Sequence, residues 1–106
     1  MTLTSADQLL LIEAIKRLKY VYLRAVDTHD WDLLESTLSE DVVARYDGGK
    51  YSYDNRKALI DGLRGHMDSP SVITMHNGHH PEIELLSDTE ATGKWYLQDL
   101  VFNKEQ

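Results

Sequence analysis

Four side chains of this sequence could together move a proton on and off a small molecule. They belong to Tyr22, Asp27, Tyr46 and His76. An imidazole takes up or releases a proton near neutral pH, and a carboxylate bonded to one ring nitrogen fixes the tautomer of the ring. Two phenols aimed at one carbonyl oxygen would stabilise an enolate, as an oxyanion hole does. The set requires neither a metal ion nor an organic cofactor, and it predicts acid–base catalysis on a carbonyl-bearing compound.

Each of these residue types also has a structural interpretation. A histidine in a strand often packs or faces solvent, and an aspartate near a helix end often caps that end. A buried tyrosine usually packs, with its hydroxyl group bonded to a nearby acceptor. The chemical interpretation therefore requires that the fold bring the four side chains together.

Three histidines in residues 75–83 raise the alternative of a metal site. They are His76, His79 and His80. Gly78 and Pro81 argue against a helix in this segment. In a regular strand His76 and His79 face opposite sides, and His76 lies about 13 Å from His80. A bulge at 77–78 would change that geometry, so the metal alternative stays open. The remaining histidines, His29 and His66, are expected to be solvated.

Apolar spacing predicts three helices. A capping-box pattern of Ser5 and Gln8 precedes the first, over about 6–26. Its inner face repeats at spacings of three and four and carries Leu11, Ile15, Leu18, Tyr22 and Ala25. A short helix over about 31–38 follows the capping residues of 27–30. A third, over about 55–67 and capped by Asp54, turns Leu59, Ile60, Leu63 and Met67 inward.

Two predicted hairpins complete the pattern. The first pairs 41–46 with 50–53 around Asp47-Gly48-Gly49, and the second pairs 71–86 with 90–102 around Ser87-Asp88. Alternate residues of the last strand share one face, the predicted pocket lining: Ala91, Gly93, Trp95, Leu97 and Asp99. Trp95 would be the largest apolar surface of that lining, although a plain core position fits it equally. Helices with antiparallel strands predict an α+β domain.

Composition limits the function. A length of 106 residues indicates one domain. The net charge of −7 argues against a nucleic-acid partner and against docking on anionic lipid. There is no cysteine, which excludes disulfides and thiol catalysis. No apolar run is long enough for a membrane span and the start lacks a basic signal region, so a cytoplasmic location is the default expectation.

Several segments resemble one family. They are Ile12–Lys19, Tyr22–Asp27, Trp31–Ser39, Met75–His79, Pro81–Ile83 and Ala91–Leu97. These segments are similar to the SnoaL-like branch of the NTF2-like superfamily, and within it to bile-acid 7α-dehydratases and more distantly to scytalone dehydratase. The resemblance implies a curved, mainly antiparallel sheet wrapped by three helices into a cone with a pocket. The superfamily fold alone hosts isomerases, cyclases, dehydratases and binders, so function must come from the site.

The resemblance also implies roles for single residues. By position, Tyr22, Asp27, Tyr46 and His76 match the catalytic residues of the bile-acid dehydratases, and His79 matches a second histidine of that motif. The family continues for several dozen residues past the position of Gln106, and that tail supplies further strands and an arginine of the site. We therefore expect a sheet truncated at its C-terminus. Either the sequence is a shortened product, or another chain completes the sheet. Its open edge favours a homo-oligomer.

Three functional hypotheses follow. The first is a cofactor-independent dehydratase, a carbon–oxygen lyase, acting on an apolar steroid-like or polyketide-like ring held by His79, Trp95 and Leu97. The second is an isomerase or cyclase that uses the same proton chemistry without losing water. The third is a non-catalytic ligand-binding module. The sequence leaves open whether the substrate is a coenzyme A thioester.

Overall fold

Three α-helices, one short 3₁₀ helix (Asp47–Gly49) and four strands make up the computed structural model, which describes residues 2–104. The α-helices are α1 (Ser5–Asp27), α2 (Trp31–Ser36) and α3 (Arg56–Met67). The strands are β1 (Ala44–Tyr46), β2 (Tyr51–Tyr53), β3 (Val72–Leu85) and β4 (Ala91–Asn103). The predicted α+β class is confirmed. The prediction extended the second helix by two residues and began the first strand three residues early.

Helix α1 begins at Ser5, one residue earlier than predicted, and its capping box is formed by Thr4 and Asp7. The Asp7 amide donates to Thr4 Oγ1 at 3.0 Å, and the Thr4 amide donates to Asp7 Oδ2 at 3.2 Å. The predicted box of Ser5 and Gln8 is therefore wrong. Both pairs fit the capping pattern, but Asp7 supplies a charged acceptor that also suits the positive end of the helix dipole.

Helix α1 ends in a turn that leads directly into α2. His29 takes a left-handed conformation (φ 55°), the usual way in which a helix ends. The His29 ring then stacks on Trp31, with ring centres 5.9 Å apart. The expectation of a solvated His29 is thus wrong, because the turn folds this ring back onto the next helix. Asp30 caps α2 by accepting from the Leu33 amide at 3.1 Å.

The core lies where the C-terminal half of α1 meets α2 and α3. Its buried members are Ala25, Val26, Trp31, Leu34, Leu59, Ile60 and Leu63. The predicted inner faces are correct for α3 and only partly so for α1. Leu18 is 49% exposed, while Leu23 is buried beside Ala25 and Val26. Among the described residues, nothing buries the first turns of α1, so apolar spacing alone did not decide burial there.

Helix α3 is joined to its neighbours by polar contacts at its start. Asn55, rather than the predicted Asp54, caps the helix by accepting from the Ala58 amide at 2.8 Å. Asp54 instead accepts from Arg45 at 2.7 Å and so holds the end of the first hairpin. Arg56 donates to the Leu38 carbonyl at 3.2 Å, which ties α3 to the segment after α2.

The strands form two antiparallel pairs, β1 with β2 and β3 with β4. The turn of the first pair contains Gly48 and Gly49 at φ 65° and 95°, values that favour glycine. In the second pair one extra residue of β3 lies between His79 and Glu82, and we call this irregularity the β3 bulge. Its position differs from 77–78, where the sequence suggested a bulge. Within residues 2–104, no helix has the length and apolarity needed to cross a membrane.

Candidate active site

A cavity of about 390 Å³ lies between α1, the first hairpin, α3 and the long strand pair. Its wall is mostly apolar and aromatic, with a few polar groups that face inward. The residues that line it are Lys19, Tyr22, Leu23, Val26, Tyr46, Tyr51, Tyr53, Leu63, His66, Met67, His76, Leu97 and Asp99. The size and the mixture of apolar wall with few polar groups are typical of small-molecule sites.

Asp27 and His76 form a closely bonded pair at one end of this cavity. Asp27 Oδ1 lies 2.6 Å from His76 Nδ1, and Asp27 Oδ2 accepts from the His76 backbone amide at 2.9 Å. Thr74 donates a third hydrogen bond, to Asp27 Oδ1, at 2.9 Å. An ionised carboxylate can only accept hydrogen bonds, so Nδ1 carries the hydrogen and Nε2 is left as the basic nitrogen.

The two secondary elements that carry this pair explain its rigidity. Asp27 is the last residue of α1, and Thr74 and His76 lie on the face of β3 that packs against that helix. The side chains are mostly buried, with 12% of His76 and 21% of Asp27 exposed. The carboxylate thus holds both the ring and the backbone of His76, which fixes the direction of Nε2.

Tyr22 and Tyr46 meet through their hydroxyl groups, whose oxygens are 2.7 Å apart. Burial, together with the neighbouring Tyr46 hydroxyl, raises the pKa of Tyr22 well above its usual value of 10.0. Tyr22 is therefore a neutral phenol at physiological pH. Since one O–H of the pair is used between the two rings, one O–H remains to donate to a ligand.

Asp99 is a site residue to which the sequence assigned a face but no role. It is the direct partner of His76 across the two long strands, and its Oδ2 lies 3.9 Å from His76 Nε2. That distance is too long for a direct hydrogen bond, but it places a negative charge beside the basic nitrogen. Counting residues from the hairpin turn does not pair Asp99 with His76, because the β3 bulge adds one residue to β3.

Two further cavity residues were missed by sequence reasoning. His66, which was expected to be solvated, is exposed but contributes to the cavity wall, with its ring edge-on to Tyr51 at 5.5 Å. Lys19 was grouped with the charged residues outside the apolar stripe, yet it is half-buried in the wall. Burial lowers the pKa of Lys19. Its position three residues before Tyr22 on a helix was the available signal.

The three residues predicted to bind substrate lie in different places. Leu97 lines the cavity, although 55% of its surface is exposed. Trp95 instead borders an adjoining cavity of about 260 Å³, which shares Lys19 and Tyr22 with the first. His79 lies on the opposite face of β3, opposite Tyr96; it does not line the first cavity, but it borders another of about 400 Å³ that Asp27 and His76 also line. The structure thus brings Leu97, and in part Trp95, to the four predicted catalytic residues.

The histidines of β3 do not gather around one point. His76 faces the helices while His79 faces away, as the regular strand geometry predicted. His80 packs against Tyr96 in the β3 bulge, with ring centres 5.9 Å apart. Over residues 2–104, no three histidine or carboxylate side chains are arranged so that they could hold a metal ion.

The fold and the sequence both match known proteins. A candidate scytalone dehydratase from Novosphingobium aromaticivorans superposes with a TM-score of 0.88 at 20% identity, over 97% of this chain and 68% of that one. ActVI-ORFA from Streptomyces coelicolor gives 0.74 at 16% identity, covering 91% and 72%. The beta subunit of benzoate 1,2-dioxygenase from Burkholderia mallei gives 0.69 at 22% identity, covering 100% and 73%.

At these identities the structural matches show the fold alone. The sequence itself matches the SnoaL-like domain family over residues 7–106, nearly the whole chain. Agreement between the family match and the NTF2-like fold of its structural neighbours confirms the resemblance at the level of the SnoaL-like branch. The chain belongs to the SnoaL-like domain family.

Proposed function

We propose that this protein is a cofactor-independent dehydratase. The observation that carries the proposal is the 2.6 Å contact of Asp27 with His76 Nδ1, which leaves Nε2 directed at an apolar cavity. The Tyr22–Tyr46 pair supplies a phenol donor to the same cavity. A base and a hydrogen-bond donor that face one cavity are what removal of water from a hydroxylated carbonyl compound requires.

The reaction balances without an added reagent. His76 Nε2 removes a proton from the carbon next to the carbonyl group (or from the γ-carbon of an enone), and the electron pair moves to the carbonyl oxygen to give an enolate or dienolate. The free phenol O–H of the tyrosine pair donates to that oxygen. The enolate then re-forms the carbonyl, the bond to the β-hydroxyl (or to its vinylogous equivalent) breaks, and His76 returns its proton to the departing hydroxide as water. His76 thus acts first as the base and then as the acid, and its fixed position keeps Nε2 near both groups.

Asp27 and Asp99 act through His76 in this scheme. Asp27 keeps the hydrogen on Nδ1, so that Nε2 can accept the proton from carbon. During the transfer the ring becomes a cation between two carboxylates, because Asp99 Oδ2 lies 3.9 Å from Nε2. The electrostatic attraction of both stabilises that intermediate charge. Both are positioning residues.

The cavity wall favours a flat, apolar substrate. Leu63, Met67 and Leu97 lie among aromatic rings around the polar set. Its volume of about 390 Å³ suits a compound of a few fused rings, such as a steroid or polyketide-like ring. The name of the Novosphingobium neighbour and the resemblance of the β3 motif to bile-acid 7α-dehydratases support dehydration over other reactions. Whether the substrate is a coenzyme A thioester is left to the experiment.

The test uses a 7α-hydroxy-3-oxo-Δ4 steroid acid, free and as its coenzyme A thioester, and follows the absorbance of the conjugated dienone product. We expect turnover that His76→Ala reduces by at least a thousandfold. Asn77→Ala is the matched control, because Asn77 is exposed on the opposite face of β3, and it should retain wild-type turnover. Retained turnover in His76→Ala would refute the mechanism.

Product mass separates the other hypotheses. A product lighter than the substrate by one water molecule identifies a dehydratase. A product of unchanged mass identifies an isomerase or cyclase that uses the same base. Binding without turnover, unaffected by Asp27→Asn, would identify a ligand-binding module. The predicted homo-oligomer stays a prediction, and light scattering of the purified protein measures it.

A further inference from the structure

Within the described residues 2–104, no carboxylate neutralises the charge of Lys19. Lys19 is half-buried in the wall of the cavity and, within residues 2–104, makes neither a hydrogen bond nor an ion pair. Lys16, on the same helix, shows the ordinary arrangement, since its ammonium group lies 3.3 Å from Glu13. Ammonium groups that leave water are normally paired, so the unpaired state of Lys19 needs an explanation.

Aromatic rings stabilise the unpaired ammonium group of Lys19 in part. Lys19 Nζ lies 4.8 Å from the ring centre of Tyr22 and 5.8 Å from that of Trp95. Such contacts attract a cation, but they offer no acceptor for its three N–H groups. The indole N–H of Trp95 is also buried and has no acceptor among the described residues. The Lys19 ammonium group and the neighbouring Trp95 ring thus both carry donors with no acceptor within residues 2–104.

The charges that line the cavity also leave Lys19 without a counter-ion among the described residues. Among residues 2–104, Lys19 is the only lysine or arginine that lines it, and Asp99 is the only carboxylate. Asp99 lies beside His76, which leaves Lys19 without a counter-ion. The chain as a whole carries a net charge of −7, so an anion that enters this cavity needs a local cation to offset the repulsion.

We propose that Lys19 binds a carboxylate group of the substrate, so that the ligand is an apolar ring compound bearing an acid at a distance from its reacting carbonyl. The proposal rests on the proposed function only in taking this cavity as the substrate site. Lys19 lies two turns before Asp27 on α1, about 12 Å along the helix axis at about 1.5 Å per residue. Tyr22 lies between these two positions of the helix, so the acid of the substrate would be about two helical turns from its reacting carbon.

Binding of two matched probes tests the proposal without any turnover. Naphthalene-2-carboxylate and naphthalene-2-carboxamide have nearly the same size and shape and differ in charge at pH 7. Their dissociation constants are measured by NMR titration of the 106-residue protein. We expect the wild type to bind the carboxylate at least tenfold more tightly, about 1.4 kcal/mol. Failure of the carboxylate to bind, or equal binding of both probes, would overturn the proposal.

Three variants assign the preference to Lys19. Lys19→Met keeps the length of the side chain and removes the charge, so it should reverse the preference in favour of the amide, because the protein is acidic. Lys19→Arg should keep most of the preference, and Lys16→Met should keep all of it. A preference unchanged in Lys19→Met would show that Lys19 only packs. Loss of the dehydratase reaction with this preference intact would refute the proposed function alone.

Discussion

Asp27→Asn separates the chemical role of this carboxylate from its structural role. Asp27 accepts three hydrogen bonds: from Thr74, from the His76 amide and from His76 Nδ1. An asparagine has one oxygen and one NH₂ group. If its oxygen faces Nδ1, its NH₂ group faces the His76 amide, and a buried donor is left unpaired at a cost of about 1–3 kcal/mol.

The opposite orientation satisfies every group. The asparagine oxygen then accepts from the His76 amide, and its NH₂ group donates to Nδ1 and lies beside the Thr74 hydroxyl, which can accept. That arrangement moves the ring hydrogen of His76 to Nε2. The variant should therefore lose about 1–3 kcal/mol of unfolding free energy, since hydrogen bonds of a neutral amide replace three bonds to a charged carboxylate. Turnover should fall about 10³–10⁴-fold, because a protonated Nε2 cannot act as a base.

Three measurements check this reasoning. Nitrogen-15 NMR of the His76 ring reports which nitrogen carries the hydrogen, urea unfolding gives the stability, and dienone absorbance gives the turnover. Asp30→Asn is the control, because asparagine caps a helix as well as aspartate and keeps the bond to the Leu33 amide. Turnover within tenfold of the wild type in a variant with the hydrogen on Nε2 would refute the role of His76 as base.

Four further predictions concern the stability of the fold and the rate of the reaction. Folding raises the pKa of Tyr22, so the folded state holds this proton more tightly than the unfolded state and the unfolding free energy should fall as pH rises above about 10. Urea unfolding from pH 8 to 11 should show that Tyr22→Phe flattens this dependence. Gly93→Ala places a methyl group 2.5 Å from the Trp95 ring, so it should cost about 1–3 kcal/mol and shift tryptophan emission. Gly65→Ala, with open space around it, should stabilise α3 by up to about 1 kcal/mol, and a loss of stability there would contradict the packing argument. Asp99→Asn should lower kcat about tenfold with less change in KM, since the imidazolium loses a neighbouring charge.

Local patterns predicted the helices well because helix starts and apolar spacing are properties of neighbouring residues. They failed where two candidates stood side by side. Thr4 and Ser5 each stand three residues before a residue that could complete a capping box, and Asp54 and Asn55 are both good N-cap residues. The choice between them depends on contacts elsewhere. Asp54 is unavailable as a cap because it binds Arg45.

The site was predictable only in part, because some of its residues meet through contacts between distant segments. The four proton-transfer residues were identified by type and family position; Tyr22, Tyr46 and His76 line one cavity, and Asp27 is bonded to His76 at its edge. Asp99 and Lys19 depend on strand register and on the rotation of α1 about its axis, which no local pattern records. His79 was carried over from the family motif, and strand alternation places it outside the cavity.

The β3 bulge decides which half of the strand's side chains the helices contact. Side chains alternate between the two faces of a strand, and one inserted residue reverses the alternation beyond it. Between the hairpin end and the bulge, the odd-numbered Ile83 and Leu85 share the inner face, whereas His76 and the other even-numbered residues do so beyond it. Deletion of one residue at the bulge would turn His76 to the outside and Met75 to the inside while the hairpin stayed paired. The loss of a single codon at the bulge would therefore separate this chemistry from this fold without replacing any residue of the site.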